Sequence, residues 1–200
     1  MAAPRPSLTT RLTSARLVLR PARTQDTGEL CALARKNKTH LAPWNPLPAR
    51  GEDPSSLTVV ARSVAVQRAQ WREGRAFPFL VVERKPEPRI VGRINLNAVV
   101  RGAFHNAYLG YWIDASRQGQ GLMTEATQLV LGFAFGDAGL HRVQVAIMPR
   151  NAPSLKVVEK IGFRKEGFAL RYLQIAGRWE DHLLFAMTSE EWAERQTSQP

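Results

Sequence analysis

Gln118-Gly119-Gln120-Gly121-Leu122-Met123-Thr124-Glu125-Ala126 stands between a β-rich run and a helix-forming one, and its reading decides the fold. Two glycines one residue apart remove Cβ obstruction, so successive backbone N–H groups can turn into one concavity. The dipole of a helix opening at Thr124-Glu125-Ala126 adds partial positive charge at the same place. Such a loop fits a pyrophosphate, although a Gly-x-Gly pair also marks ordinary turns. No Gly-Lys-Ser/Thr follows, as a nucleoside triphosphate loop requires, and no third glycine stands where a dinucleotide loop would have it.

Upstream, Ala107 to Ile113 (AYLGYWI) reads as the strand that feeds the loop. Phe77–Arg84 and Ile90–Val100 are β-rich runs separated by KPEPR, whose prolines forbid continued pairing, so they form a hairpin. Asp53 and Pro54 read as N-cap and first residue of a helix that runs to Trp71 and stops at Gly74. His40 to Pro48 (HLAPWNPLP) is too rich in proline for regular structure and reads as a loop. Before it, Asp26 and Glu29 form a capping box for a first helix, and Arg16 to Arg20 (RLVLR) alternates as a half-buried strand ended by Pro21. Downstream come a strand at His141–Met148, a short helix at Ser154–Ile161, and a hairpin of Glu166–Gln174 and Trp179–Met187 turned at IAGR. The order βααβββαβαββ implies the α/β class, with a central mixed sheet and helices on both faces. One domain over residues 1–200, with a core of about 12–192, is expected; the first few residues and the tail after Trp192 are expected to be free.

The chain has 200 residues, of which 44% are hydrophobic, enough for one sizeable core. Nothing approaches a membrane-spanning run, and MAAPRPSLTTR lacks the apolar stretch of a signal peptide, so a cytoplasmic protein is expected. Cys31 is the single cysteine; it excludes an internal disulfide, and LCALAR looks like an apolar helix face rather than a metal site. No metal is expected. The net charge of +11 favours polyanionic partners such as RNA, the ribosome or a phosphorylated carrier, but the arginines are too scattered to define one groove.

The decisive stretch resembles the pyrophosphate loop of GNAT N-acetyltransferases, where Gln118 and Gly121 match the pattern and Met123 departs from its final small residue. RLVLRP, HLAPW, YLGYWI and NAPSLKVVEKIGFRKEG resemble the same family in the same order, across nearly the whole chain. VVRGAFHNAYLGYWI, QGQGLMTEA and YLQIAGRWEDH are similar to its RimJ/RimL group, and within it to the RimJ-type enzymes that acetylate ribosomal-protein alanine N-termini. The resemblance implies a GNAT acyl-CoA N-acyltransferase fold, with acetyl-CoA as co-substrate and direct attack by a primary amine in a ternary complex.

It also implies site residues. Gln118, Gly119, Gln120, Gly121, Leu122, Met123 and Thr124 hold the diphosphate, and the backbone of Trp112 and Ile113 pairs with the carrier's pantetheine arm. Asn151 orients that arm, while the Ser154 hydroxyl protonates the departing thiolate. Without the resemblance, Ser154 is an ordinary helix N-cap and Asn151 a turn residue. The tyrosine that many GNATs use as acid is replaced here by Val158, and the glutamate many use as base by Tyr108. His105, in the loop entering the strand, is the candidate base or relay, with Glu166 and Asp181 further candidates by charge. Trp44, Phe104, Tyr108 and Tyr172 are the expected acceptor walls. An N-terminal alanine suits bulky walls that exclude larger side chains. The rival readings are a small-molecule amine acetyltransferase, whose cationic substrate this surface would repel, and a non-catalytic acyl-CoA sensor or ribosome-binding protein.

Overall fold

A computed structural model describes residues 6–197. Their eight strands form one sheet in the order β1-β2-β3-β4-β5-β6-β8-β7. The strands are β1 (Leu12–Thr13), β2 (Leu17–Arg20), β3 (Phe77–Glu83), β4 (Arg89–Val100), β5 (Asn106–Ile113), β6 (Arg142–Ile147), β7 (Arg164–Ile175) and β8 (Arg178–Thr188). Neighbours are antiparallel except β5 and β6, which run parallel and pair only at Asn106–Tyr108 with Arg142–Gln144. Beyond Tyr108 the two strands splay. The crossover between them is α4 (Leu122–Phe135), the helix that follows the glycine stretch.

Alternation in the strands builds a layer on each face. On one side α4 and α5 (Ala152–Ile161) cover Leu17, Ile94, Leu109 and Phe185, with Trp71, Phe77, Phe79 and Phe133 packed edge to face. On the other, α1 (Thr27–Lys36) and α3 (Leu57–Glu73) bury Leu30, Leu33, Val60 and Val64 against Leu80, Val82 and Ile90. Cys31 lies within this second layer, 3% exposed, as an apolar filler.

Local chemistry moves several boundaries. Asp26 does not cap α1: its carboxylate accepts from the Arg23 N–H at 2.7 Å and from the Arg20 guanidinium, while Glu29 reaches across to the Ile90 N–H at 2.5 Å. The expected box is thus taken apart: Asp26 serves as the third residue of a capping box on the 3-10 turn Thr24–Asp26 that precedes α1, and Glu29 takes a tertiary partner. Asp53 is engaged by the N–H and hydroxyl of Ser55, so α3 starts later, capped by Ser56. The proline-rich stretch begins with helical turns, α2 (Lys38–Leu41) and a 3-10 turn at Ala42–Trp44, because Pro43 sits in the first turn, where no N–H is needed. α5 starts at Ala152 with Asn151 as its cap, which puts Ser154 inside the first turn. The tail after Trp192 continues as helix α6 (Ser189–Thr197), with Trp192 packed on Phe135. The ends expected to be free at residues 1–5 and 198–200 lie outside the described residues.

Candidate functional site

The glycine stretch leaves β5 through a turn pinned from two sides. Asp114 caps the turn by accepting the Ser116 N–H and takes Lys36 at 2.6 Å, while the buried Asn37 accepts the Ala115 N–H at 2.9 Å and donates to the Leu33 carbonyl. Gly121 is the N-cap of α4 with φ of 76°, and Gly119 has φ of 74°, conformations that cost other residues about 1–2 kcal/mol. Among the described residues, no acceptor meets the N–H groups of Gly119, Gln120 or Gly121. Those of the first turn of α4 have no intrahelical partner. From below, Arg16 donates to the Gln120 carbonyl at 2.9 Å and to the Glu125 carboxylate, which also accepts from Ser14. Burial pushes the Glu125 carboxyl up, but the hydrogen bonds from Ser14 and Arg16 outweigh it, so it stays ionised and neutralised by Arg16 rather than facing an anion.

Where β5 and β6 splay, a cleft of about 750 Å³ opens from this cradle. Its floor is the unpaired inner edges of Leu109–Ile113 and Val145–Ile147. At the cradle end stand Gln118, Gly119, Gly121, Leu122, Met123 and Thr124. Lys156 and Lys160, one turn apart on α5, face the same space and have no ion pair with a described residue. In the middle, Tyr111 donates to the Ser154 carbonyl at 3.1 Å, and burial pushes its phenol up, so it remains a donor. Asn151 accepts the Ser154 N–H, and the Ser154 hydroxyl is bonded to no described residue. At the far end are Trp44, with the Arg150 guanidinium over its ring at 5.6 Å, then Leu173, Ile175 and His182.

Of the residues expected from the sequence, Trp44, Trp112, Ile113, Asn151 and Ser154 share this cleft with the loop residues other than Gln120. The Gln120 side chain folds back onto the Ser116 carbonyl at 3.2 Å. His105, Phe104 and Tyr108 lie toward the paired start of β5, about 13 Å of strand back from the splayed part for His105. His105 ties the two strands together there: its carbonyl accepts the His141 and Arg142 N–H groups, and its Nδ1 is 3.2 Å from the Gly139 oxygen. Glu166 is paired with Arg142 and Arg164, and Asp181 accepts the Arg171 N–H at 2.7 Å; neither lines the cleft. Tyr172 is on the outer side of the far end, its ring 5.6 Å from that of His182. Sequence reasoning missed Tyr111 as a side chain, together with Lys156, Lys160 and His182. The i,i+4 lysines directly after NAPS were the one signal available.

The fold and cleft define a class: an enzyme with a positively charged, amide-lined cradle at one end, a strand edge open along the middle where the Tyr111 and Ser154 hydroxyls stand, and a second end walled by Trp44 and His182. The Acetyltransferase (GNAT) domain profile matches residues 16–164. The [Ribosomal protein uS5]-alanine N-acetyltransferase of Escherichia coli (strain K12) is 36% identical over 182 residues, covering 91% of this chain and 92% of that one. The probable N-acetyltransferase YjcK of Bacillus subtilis (strain 168) is 31% identical over 86% of this chain and 93% of its own length. Among solved structures, Mycobacterium smegmatis RimJ in complex with CoA-disulfide superposes with a TM-score of 0.83 at 34% identity, covering 91% of this chain and 88% of that one. This chain belongs to the GNAT acetyltransferase family. It is an acetyl-CoA-dependent N-acetyltransferase.

Proposed function

We propose that the acceptor is the N-terminal α-amino group of a ribosomal protein beginning with alanine. The observation that carries this is the end-to-end likeness to the uS5-alanine enzyme of Escherichia coli. The bulky side chains of Trp44, Leu173 and Ile175 at the far end of the cleft suit a small first side chain, and the net charge of +11 draws the chain toward RNA-wrapped partners. In this reading the N–H groups of Gly119, Gln120, Gly121, Leu122, Met123 and Thr124, with Lys156 and Lys160, grip the diphosphate of acetyl-CoA. Gln118 flanks that grip, and the open edge at Trp112 and Ile113 pairs with the pantetheine arm as an added strand. Asn151 holds the first turn of α5, and the Ser154 hydroxyl gives its proton to the sulfur as the amine nitrogen attacks the carbonyl carbon. Trp44 flanks the acceptor and Tyr172 backs that end from outside through the His182 ring, whereas His105, Phe104 and Tyr108 carry no role because they neither line the cleft nor pack on its far end.

Incubation with acetyl-CoA and peptides led by alanine, serine or methionine, following thiol release, tests the transfer. Alanine-led peptides are expected to react fastest. Binding of acetyl-CoA without turnover on any amine would instead make the protein a sensor. Mass spectrometry of ribosomal-protein N-termini from cells with and without the chain identifies the acceptor; unchanged N-termini would overturn it.

A further inference from the structure

The cleft wall holds a buried titratable side chain that the chemistry above leaves unused. His182, on β8, is 3% exposed. Its Nδ1 lies 2.9 Å from the Glu180 carbonyl oxygen. A carbonyl only accepts, so Nδ1 carries the hydrogen and Nε2 is left with a lone pair. No described residue bonds Nε2, and it is not sealed from solvent, because the cleft reaches it. A β-bulge in β7 supports the ring from behind: three residues stand between the pairs Ala169–His182 and Leu173–Glu180, and this turns Tyr172 edge-on to the imidazole.

Alternation puts His182 on the same face of the sheet as Trp112 and Asn95, opposite α4. Asn95 also lines the cleft, and its buried Oδ1 has no partner. Asn95 stands three strands away on β4, so at the far end the acceptor is Nε2, the complement of an amine, which arrives as an ammonium with donors only. Charged neighbours leave Nε2 uncontested. On its own strand, Glu180 is paired with Arg150 from the loop after β6, and Asp181 is held by Arg171 of β7. β5 and β7 offer the phenols of Tyr111 and Tyr172, the α2 turn offers His40 hydrogen-bonded to Gln118, and the α5 lysines stand toward the cradle.

We propose that His182 Nε2 is the general base that takes a proton from the acceptor's ammonium group. The neutral amine then forms the N–C bond, the C–S bond breaks with its electron pair going to sulfur, and Ser154 protonates the thiolate. The nitrogen's second proton makes up the one that Ser154 gives away, and His182 releases the first to solvent. The assignment rests on the cleft being the transfer site but not on which amine enters it.

His182→Asn keeps an amide N–H to donate to the Glu180 carbonyl while removing the lone pair at Nε2. Its acetyl-CoA affinity by calorimetry is expected within about 2-fold of wild type. With the peptide that wild type acetylates fastest, kcat/KM at pH 7 is expected to fall about 10²-fold. The deficit should shrink to under about 5-fold near pH 9.5, where an α-amino group with a pKa of about 8 arrives neutral. A deficit that does not change with pH, or is under about 3-fold at pH 7, would overturn the base. Nitrogen-15 NMR of the imidazoles supplies a second arm: an Nδ1-protonated His182 supports the proposal and an Nε2-protonated one overturns it, whichever acceptor is used. Absence of acetyl-CoA binding by wild type would instead sink the site reading.

Discussion

Ser154 and Gly121 carry separable parts of the proposed reaction. Replacing Ser154 by Ala removes only the hydroxyl, since its N–H and carbonyl make the bonds to Asn151 and Tyr111. We expect kcat to fall about 10²-fold with acetyl-CoA affinity nearly unchanged, read by steady-state kinetics and calorimetry. Gly121→Ala meets only the tip of Arg16 at 3.7 Å, so its cost is conformational: an alanine forced to φ of 76° loses about 1 kcal/mol of stability. Relaxation of that residue turns its N–H away from the cradle, so acetyl-CoA binding should weaken at least 5-fold, and an unchanged affinity would remove the loop from the diphosphate site. Gly121 was legible from its spacing, because a positive φ before a helix is a local demand. His182 was not, because a histidine in GRWEDH looks the same whether its ring meets solvent or a cleft.

Asn37, between α1 and α2, joins an element that never touches the cofactor end to the turn that shapes it. It is fully buried and bridges the Leu33 carbonyl and the Ala115 N–H. Asn37→Ala removes both bonds of a buried side chain, although the exposed Ala115 can turn its N–H to water, and the expected loss is about 1 kcal/mol by urea denaturation. The turn at Asp114–Arg117 should also loosen, raising the Kd for acetyl-CoA several-fold; a destabilised variant with unaltered Kd would show that the turn holds its shape without α1. β2 could be read from alternation, since it buries one face, and α4 from the glycine stretch that opens it. The start of α1 could not: Asp26 and Glu29 have the spacing of a capping box, yet Asp26 is claimed by the N–H of Arg23 in a turn before the helix and by Arg20, and Glu29 by the Ile90 N–H, a partner that exists only once β4 and α1 meet. The same competition moves the start of α3 from Asp53 to Ser56.

Across the protein, paired carboxylates set the response to acid. Burial pushes Asp26 up, but hydrogen bonds from Arg20 and the Arg23 N–H prevail, so its folded pKa lies below the ordinary carboxylate value; Glu125 and Asp114 are held low in the same way. A depressed folded pKa means stability that is present above the unfolded pKa and lost as pH falls through the folded one. Asp26→Asn should therefore cost about 3 kcal/mol at pH 7, by leaving Arg20 with a neutral partner in a site where its side chain is 14% exposed. Urea midpoints measured from pH 7 down should show the difference from wild type narrowing below the ordinary carboxylate range; a constant gap would mean the pair is not what titrates. Shedding these ion pairs while the net charge climbs above +11 makes the whole sheet acid-labile.

The amino-acid sequence by itself determined the order of the longer strands and helices from β2 to β8, the glycine-punctuated cradle and the family, because these rest on local rules: alternation, φ preference and motif spacing within one segment. Only the tertiary structure decided which residues face one another in the cleft. β5 and β6 pair at their first residues and part beyond Tyr108, which carries His105 away from the site and brings Tyr111, Ser154 and His182 into it from three separate elements. Strand register and splay arise from contacts between residues far apart in the chain, so no single stretch records them.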